Sequence, residues 1–212
     1  MIITWLGHSS FKIQDKTTAG GVTLITDPYA DSIGFKMPKL EADVVTISHD
    51  HEDHANFGAV RGTPYLINCA GEYDVKGILI EGVEVSHDEK GERGKVIAFR
   101  IDLDDITVVH LSDLGTTLTP KQLEPLTGAD ILLIPVGGKY TLDAKKAVEV
   151  IAQLEPRIVI PMHYMVDGLK YDLDPVEKFI KELGIKPRHE EKLKISKKDL
   201  PVEDMELVIL SF

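Results

Sequence analysis

Along the first half of the chain, apolar residues either alternate with polar ones or gather in short runs, which is the period-two pattern of strands. Positions 2–6 and 11–14 read as strands on either side of Gly7-His8-Ser9-Ser10. The turn-forming run 15–21 then leads into a returning strand at 22–27. After an irregular loop at 28–40, a strand at 42–47 is predicted. Further strands are expected at 64–67, 77–80, 83–86, 95–101 and 105–111, with Glu89-Lys90-Gly91-Glu92-Arg93-Gly94 as a hairpin tip.

The second half changes period. Thr119-Pro120-Lys121-Gln122 joins a capping hydroxyl, a proline at the first helical position and Gln three residues after the cap, which predicts a short helix ending near Gly128. The apolar run 131–135 reads as a buried strand. Thr141 is placed to cap a helix whose inner face is Ala144, Ala147, Val148, Ile151 and Leu154. A strand at 157–161 follows. Asp174-Pro175-Val176-Glu177 reads as a capping box, with Val176, Phe179, Ile180 and Leu183 as the apolar stripe and Gly184 as the stop. Strands near 192–195 and 206–210 close the chain. Strands first, then strands alternating with helices, predict sheets packed between helices.

Composition narrows the function classes. With 212 residues and no shift in composition, residues 1–212 are read as a single domain; 43% hydrophobic and 28% charged residues are ordinary for a globular protein. The formal net charge of -11 argues against a surface that wraps nucleic acid, though not against an anion bound at a metal centre. Cys69 is the only cysteine, so no intrachain disulfide forms, and a buried, inert thiol is expected. No basic leader precedes Met1-Ile2-Ile3-Thr4-Trp5-Leu6 and no apolar run has the length of a membrane span, so a cytoplasmic protein without membrane contact is the expectation. Oligomeric state is left open.

The chemistry collects at His49-Asp50-His51-Glu52-Asp53-His54, directly after the strand at 42–47. Three of the chain's eight histidines and three carboxylates stand in six consecutive positions, a density that a solvated turn does not require and a metal site does. Elsewhere an apolar strand repeatedly ends in His or Asp: at Asp27, at His87, at His110-Leu111-Ser112-Asp113 and at His163. Taken singly, each has an ordinary reading as a satisfied histidine or a turn-capping aspartate. Together they fit the layered α/β proteins, in which the carboxyl ends of strands form the ligand-binding edge. His8 either faces that edge or caps a turn. The side-chain direction of His110 is open, and His189 reads as a solvated loop residue. Gly137-Gly138-Lys139-Tyr140-Thr141 either offers backbone amides and Lys139 to an anion or simply turns into a helix cap.

This ordered set resembles the metallo-β-lactamase superfamily, whose His-x-His-x-Asp-His signature stands here as His49-Asp50-His51-Glu52-Asp53-His54. The likeness runs from the first strand to Tyr164. Leu6-Gly7-His8-Ser9-Ser10-Phe11 and Ile160-Pro161-Met162-His163-Tyr164 look more particularly like the small branch that includes the ascorbate-6-phosphate lactonase-like proteins. Ser112-Asp113 departs from the Gly-Asp often found in that branch.

The resemblance implies a four-layer αβ/βα sandwich with two metal ions on the shared edge. His49, His51 and His87 would hold one, Asp53, His54 and His163 the other, with Asp113 bridging and Asp27 acting through a neighbouring ligand. Two Zn2+ per chain are expected, with Mn2+ or Fe also suited to nitrogen and oxygen donors. The implied activity is a metal-dependent hydrolase that uses a hydroxide held by both metals to cleave a small ester, lactone or phosphoester, with Asp53 orienting the water or relaying its proton. Small-molecule substrates, anionic ones included, are the expected partners. The alternatives are a phosphodiesterase or nuclease, which the charge and length disfavour, and a non-catalytic metal-binding module. The electron-transfer diiron branch is disfavoured because His51 stands where that branch usually carries Glu.

Overall fold

A computed structural model describes residues 1–18 and 20–212; Ala19, in the predicted turn 15–21, lies outside the described residues. The strands are β1 (Ile2–Gly7), β2 (Ser10–Thr17), β3 (Gly20–Thr26), β4 (Leu40–Glu41), β5 (Val44–Thr46), β6 (Val60–Arg61), β7 (Tyr65–Ile67), β8 (Gly71–Val75), β9 (Ile78–Ser86), β10 (Lys95–Leu103) and β11 (Ile106–His110). The remaining strands are β12 (Ile131–Pro135), β13 (Ile158–Met162), β14 (Arg188–Glu190), β15 (Leu193–Lys194) and β16 (Glu206–Leu210). The helices are α1 (Pro120–Leu126), α2 (Ala144–Leu154) and α3 (Val176–Leu183).

Two mixed sheets stack. The first has the order β15-β1-β2-β3-β5-β7 and the second β14-β16-β13-β12-β11-β10-β9-β8; β4 and β6 form a separate pair. In the first sheet β1, β2 and β3 are antiparallel, while β3, β5 and β7 run parallel. In the second, β8 to β11 are antiparallel, and β11, β12, β13, β16 and β14 run parallel.

Strand alternation decides which layer each residue joins. Ile3, Phe11, Ile13, Leu24 and Val44 face the second sheet and share one core with Phe99, Ile101, Val108 and Leu132. Their neighbours Leu6, Ile25 and Val45 face outward, onto a smaller cluster with Tyr29, Ile33 and Met37. Phe11 and Phe99 are fully buried, and each such side chain contributes about 1.5–3 kcal/mol by leaving water. The three α-helices connect strands of the second sheet. The layer outside the first is made of irregular chain and two 3-10 turns, Asp31–Ile33 and Phe57–Ala59.

Local chemistry departs from the sequence reading at several points. The Thr119 capping box forms, with Gln122 as its partner. The next helix is capped by Asp143, whose side chain accepts from the Lys146 N–H, and not by Thr141. Pro175 is the N-cap of α3 and no side chain caps that end; the Asp174 carboxylate is taken by Lys178 at 2.6 Å. The two strands expected at 77–80 and 83–86 are one continuous strand, β9. His189 lies in β14 rather than in a loop, although it remains exposed. Cys69 is exposed, its Sγ 2.9 Å from the Tyr73 hydroxyl, because it lies in the turn before the edge strand β8 and not in the core. Among the described residues no helix is long and apolar enough to cross a membrane.

Candidate metal centre

Parallel β3, β5, β11, β12 and β13 all end toward one edge, and the segments that follow them carry the polar residues singled out in the sequence. Asp27 follows β3, residues 48–54 follow β5, His87 follows β9, Asp113 follows β11 and His163 follows β13. His8, between β1 and β2, joins them. His8, Asp27, Ser112 and His163 all have left-handed backbones, with φ of 54°, 37°, 50° and 52°. This is a conformation that costs non-glycine residues energy and that clusters at functional sites.

The Asp113 carboxylate is the hub. Its Oδ1 lies 3.2 Å from His54 Nε2, and its Oδ2 lies 3.5 Å from His163 Nε2, 3.6 Å from His87 Nε2 and 3.9 Å from His49 Nε2. On one side of it, His49, His51 and His87 bring ligand-capable atoms within 4.8 Å of one another; on the other, His8, Asp53, His54 and His163 do the same. Every residue of the expected ligand set therefore sits around one carboxylate, although His87, Asp113 and His163 are far from residues 49–54 in sequence.

Hydrogen bonds fix how the imidazoles are presented. Asp27 is fully buried and accepts from the Ser48 N–H at 2.8 Å, from the Ser48 hydroxyl at 2.7 Å and from His54 Nδ1 at 3.1 Å. The Ser48 oxygen in turn accepts from His49 Nδ1 at 2.9 Å. With its Nδ1 donating to Ser48, His49 turns Nε2 toward His51 Nδ1 at 2.8 Å and toward Asp113, while His54, donating from Nδ1 to Asp27, directs its Nε2 at Asp113. Asp53 Oδ2 accepts from His8 Nε2 at 3.0 Å, and the His8 ring lies 4.2 Å from that of His163.

Electrostatics make the cluster receptive to cations. Burial pushes His49 down to about 4 and His163 down to about 3, so both imidazoles are neutral at pH 7 and offer lone pairs. Burial would also lower His54, but Asp113, Asp27 and Asp53 around it raise it well above the usual histidine range. Burial works against the Asp113 charge, yet His163 and His54 hold its carboxyl well below the ordinary value. The donor set fits divalent cations on a second count. His54 Nε2, both nitrogens of His87, His163 Nδ1 and Asp113 Oδ1 are buried without a hydrogen-bond partner, and buried polar atoms otherwise find one.

The cluster forms the floor of an open cavity of about 480 Å³, walled by Arg93, Tyr140 and Tyr171 and rimmed by Asp50 and Glu52. The profile of the beta-lactamase superfamily domain matches residues 2–163, from β1 through His163. The chain belongs to the metallo-β-lactamase superfamily. Within it, the chain is similar to a UPF0173 metal-dependent hydrolase of Methanopyrus kandleri, 26% identical over 87% of this chain and 94% of that protein. It also resembles a crystal structure from Thermotoga maritima, a candidate zinc-dependent hydrolase of the superfamily. That chain is 37% identical, superposes with a TM-score of 0.82 and matches over 99% of this chain and 97% of its own length. An isothiocyanate hydrolase from Delia radicum gut bacteria, 14% identical with a TM-score of 0.65 over 86% of this chain and 91% of its own, shares the fold. The metallo-β-lactamase fold thus agrees with the αβ/βα sandwich expected from the sequence.

Some of what surrounds the cluster had no signal in the sequence. Ser48, which ties Asp27 to His49, has no role assigned by the sequence, and Arg93 stands there only within the hairpin tip at 89–94. Lys139, weighed as an anion contact, is paired with Asp172 instead. His110 is buried, with Nε2 2.8 Å from the Ser9 carbonyl and Nδ1 3.2 Å from Ser112 Oγ, so it braces the two turns without facing the cavity.

Proposed function

We propose that the chain is a metal-dependent hydrolase of a small ester, lactone or phosphoester, built as one domain over residues 1–212 around the core shared by both sheets. The observation that carries this reading is the Asp113 carboxylate within 4 Å of four imidazole nitrogens at the floor of an open cavity. A structural metal site would be closed by protein ligands, whereas a catalytic one keeps open positions. The names of the similar proteins from M. kandleri and T. maritima support a hydrolase, and the latter supports zinc.

His49, His51 and His87 would hold one cation and Asp53, His54 and His163 the other, with Asp113 between them. Bound there, two divalent ions supply a water acidified toward neutral pH and polarise the bond under attack. The chain's own residues do the rest. Asp27 and Ser48 hold His54 and His49 in the presenting tautomer. His8 holds Asp53 Oδ2 at 3.0 Å, so that the carboxylate is placed to orient the attacking water or relay its proton. Tyr140, Tyr171 and Arg93 enclose the substrate. Small-molecule substrates are the fitting partners, since neither the charge nor the cavity suits a nucleic acid.

Elemental analysis of the purified chain, together with a hydrolysis screen over lactones, carboxylic esters, thioesters and phosphoesters, tests the reading. Lactones enter the screen because of the sequence likeness at residues 6–11 and 160–164. His51→Ala and Asp113→Ala are expected to abolish turnover with the circular dichroism spectrum preserved. Full turnover in either variant overturns the proposal.

A further inference from the structure

Arg93 lines the same cavity as Asp113 and His163, and its guanidinium carbon stands 4.6 Å from the centre of the Tyr140 ring. Among the described residues no carboxylate lies within ion-pair distance of this guanidinium and none of its N–H groups has an acceptor. Arg100, Arg157 and Arg188 each have an acidic partner, while Arg61, exposed on β6 and not lining this cavity, has none among the described residues. In a chain with 35 acidic and 24 basic side chains, a cation left without a protein partner beside the candidate reaction centre is a feature to explain.

The loop that carries Arg93 is ordered from within. The Asp88 carboxylate accepts from the backbone N–H groups of Lys90 at 2.8 Å, Glu92 at 3.1 Å and Arg93 at 2.6 Å. The His87 N–H meets the Gly94 carbonyl at 3.2 Å, and Glu89 pairs with Lys146 of α2 at 2.6 Å. The tip is therefore pinned directly after His87 and again to a helix, so the backbone of Arg93 is held beside the cavity, and its exposed side chain leans on the Tyr140 ring. Lys139, the other cation near this wall, is already spent on Asp172.

We propose that Arg93 is the specificity-determining residue of this site, and that it binds an oxyanion of the substrate, a carboxylate or a phosphate group, remote from the bond that is cleaved. The inference deepens the hydrolase reading and rests on it for the word substrate. A guanidinium presents five N–H donors in a planar fork matched to two oxygens of such a group. Tyr140 supports the charge through its ring without consuming it. Asp50 and Glu52 line the same cavity, so an anionic group is drawn to the Arg93 guanidinium and repelled by these carboxylates.

The test uses the full-length zinc-loaded chain and three 4-nitrophenyl esters: the neutral butyrate, the glutarate monoester and the 4-phosphonobutyrate. The readout is the ratio of kcat/KM for each charged ester to that for the neutral one. Arg93→Gln is expected to lower this ratio about 10–100-fold, the range for loss of a charged hydrogen-bonded pair. Arg93→Lys should fall between, because it keeps the charge and loses the fork, and it carries the test should Arg93→Gln not fold. Whichever charged ester shows the larger ratio in the wild type identifies the oxyanion. A ratio unchanged by both substitutions overturns the proposal, as does an equal loss on charged and neutral esters, which would assign Arg93 to bracing the loop. If the wild type turns over none of these esters, glutarate and inorganic phosphate are titrated calorimetrically onto the same proteins. At least tenfold weaker binding by Arg93→Gln then supports the anion site whatever the outcome of the wider hydrolysis screen, and equal binding overturns the anion site.

Discussion

Asp27 and His54, 27 positions apart in the chain, meet in a fully buried hydrogen bond of 3.1 Å that points His54 Nε2 at Asp113. The bond's role is to set a tautomer and a direction. Burial by itself would raise Asp27, but the hydrogen bond and charge of His54 hold it below its ordinary value, so it stays an acceptor at neutral pH. Asp27→Ala frees the His54 ring to rotate and also strands the Ser48 hydroxyl and N–H. Residues that orient a metal ligand in this way typically govern its affinity by about 10 to 100-fold. Zinc affinity measured against a competing chelator should fall by that factor in Asp27→Ala, with a smaller loss in Asp27→Asn. Wild-type affinity in the alanine variant would remove Asp27 from the account.

Two glycines let the cluster close. A Cβ on Gly137 would sit 2.0 Å from the His163 carbonyl oxygen, and one on Gly115 would sit 1.9 Å from that of His87. Both contacts are with backbone, so a side chain there must displace the loop that carries a site histidine. Gly137→Ala and Gly115→Ala should each cost about 3 kcal/mol, the upper end of overpacking penalties, and should also lower the zinc content. Gly58, with open space around its Cα, serves as the control: Gly58→Ala is expected to shift the denaturant midpoint little. Equal midpoints for all three variants would contradict the packing argument.

Much of this was legible in the sequence where a single local rule decided the outcome. The run at 131–135 is a strand over those same residues because it is apolar throughout and buried on both faces as β12. The density of imidazoles at 49–54 marked the site, since no competing structural need explains it. Reading failed where the deciding neighbour was distant. The gap left between the strands expected at 77–80 and 83–86 lies inside β9, where Gly82 pairs with Gly71 of β8 and Phe99 of β10, and the turn before β8 comes so close that a Cβ on Gly82 would stand 2.9 Å from the Cys69 carbonyl oxygen. Asp174 looked like a cap until Lys178 took it. Arg93 carries no motif, because its meaning depends on Tyr140, which a different loop delivers.

His110 offers a test of how the two sheets are held in register at the site. Its imidazole is fully buried and spans from the Ser9 carbonyl, beside His8, to Ser112 Oγ, beside Asp113. Burial lowers its pKa, so the ring is neutral and its one N–H, on Nε2, is the donor to the Ser9 carbonyl. His110→Phe keeps the volume but leaves the Ser9 carbonyl without that donor, a loss of about 1–3 kcal/mol for an unsatisfied buried group. Ser112 keeps its bond to the Ile97 carbonyl at 2.8 Å and so suffers less. Chemical denaturation should register the loss. An unchanged midpoint would mean that the turn at Ser9 finds another donor.

Cation removal should couple to stability with a defined sign. The folded chain brings the imidazoles of His49, His54, His87 and His163 to within 4 Å of the Asp113 carboxylate, so only the native state offers cations an assembled donor set. The unfolded chain separates them and offers no preformed site. A cation that binds the native state and not the unfolded one stabilises folding, by about 2.7 kcal/mol when its free concentration is a hundredfold above Kd. Thermal unfolding in excess zinc is therefore expected at a higher midpoint than in a chelator, and the difference should shrink in Asp113→Ala, which removes the carboxylate common to both halves of the cluster. His51 is exposed, unlike the buried His54 and His87, and its loss should reduce the difference less. Identical midpoints with zinc and with chelator would argue that the cluster holds no cation at all.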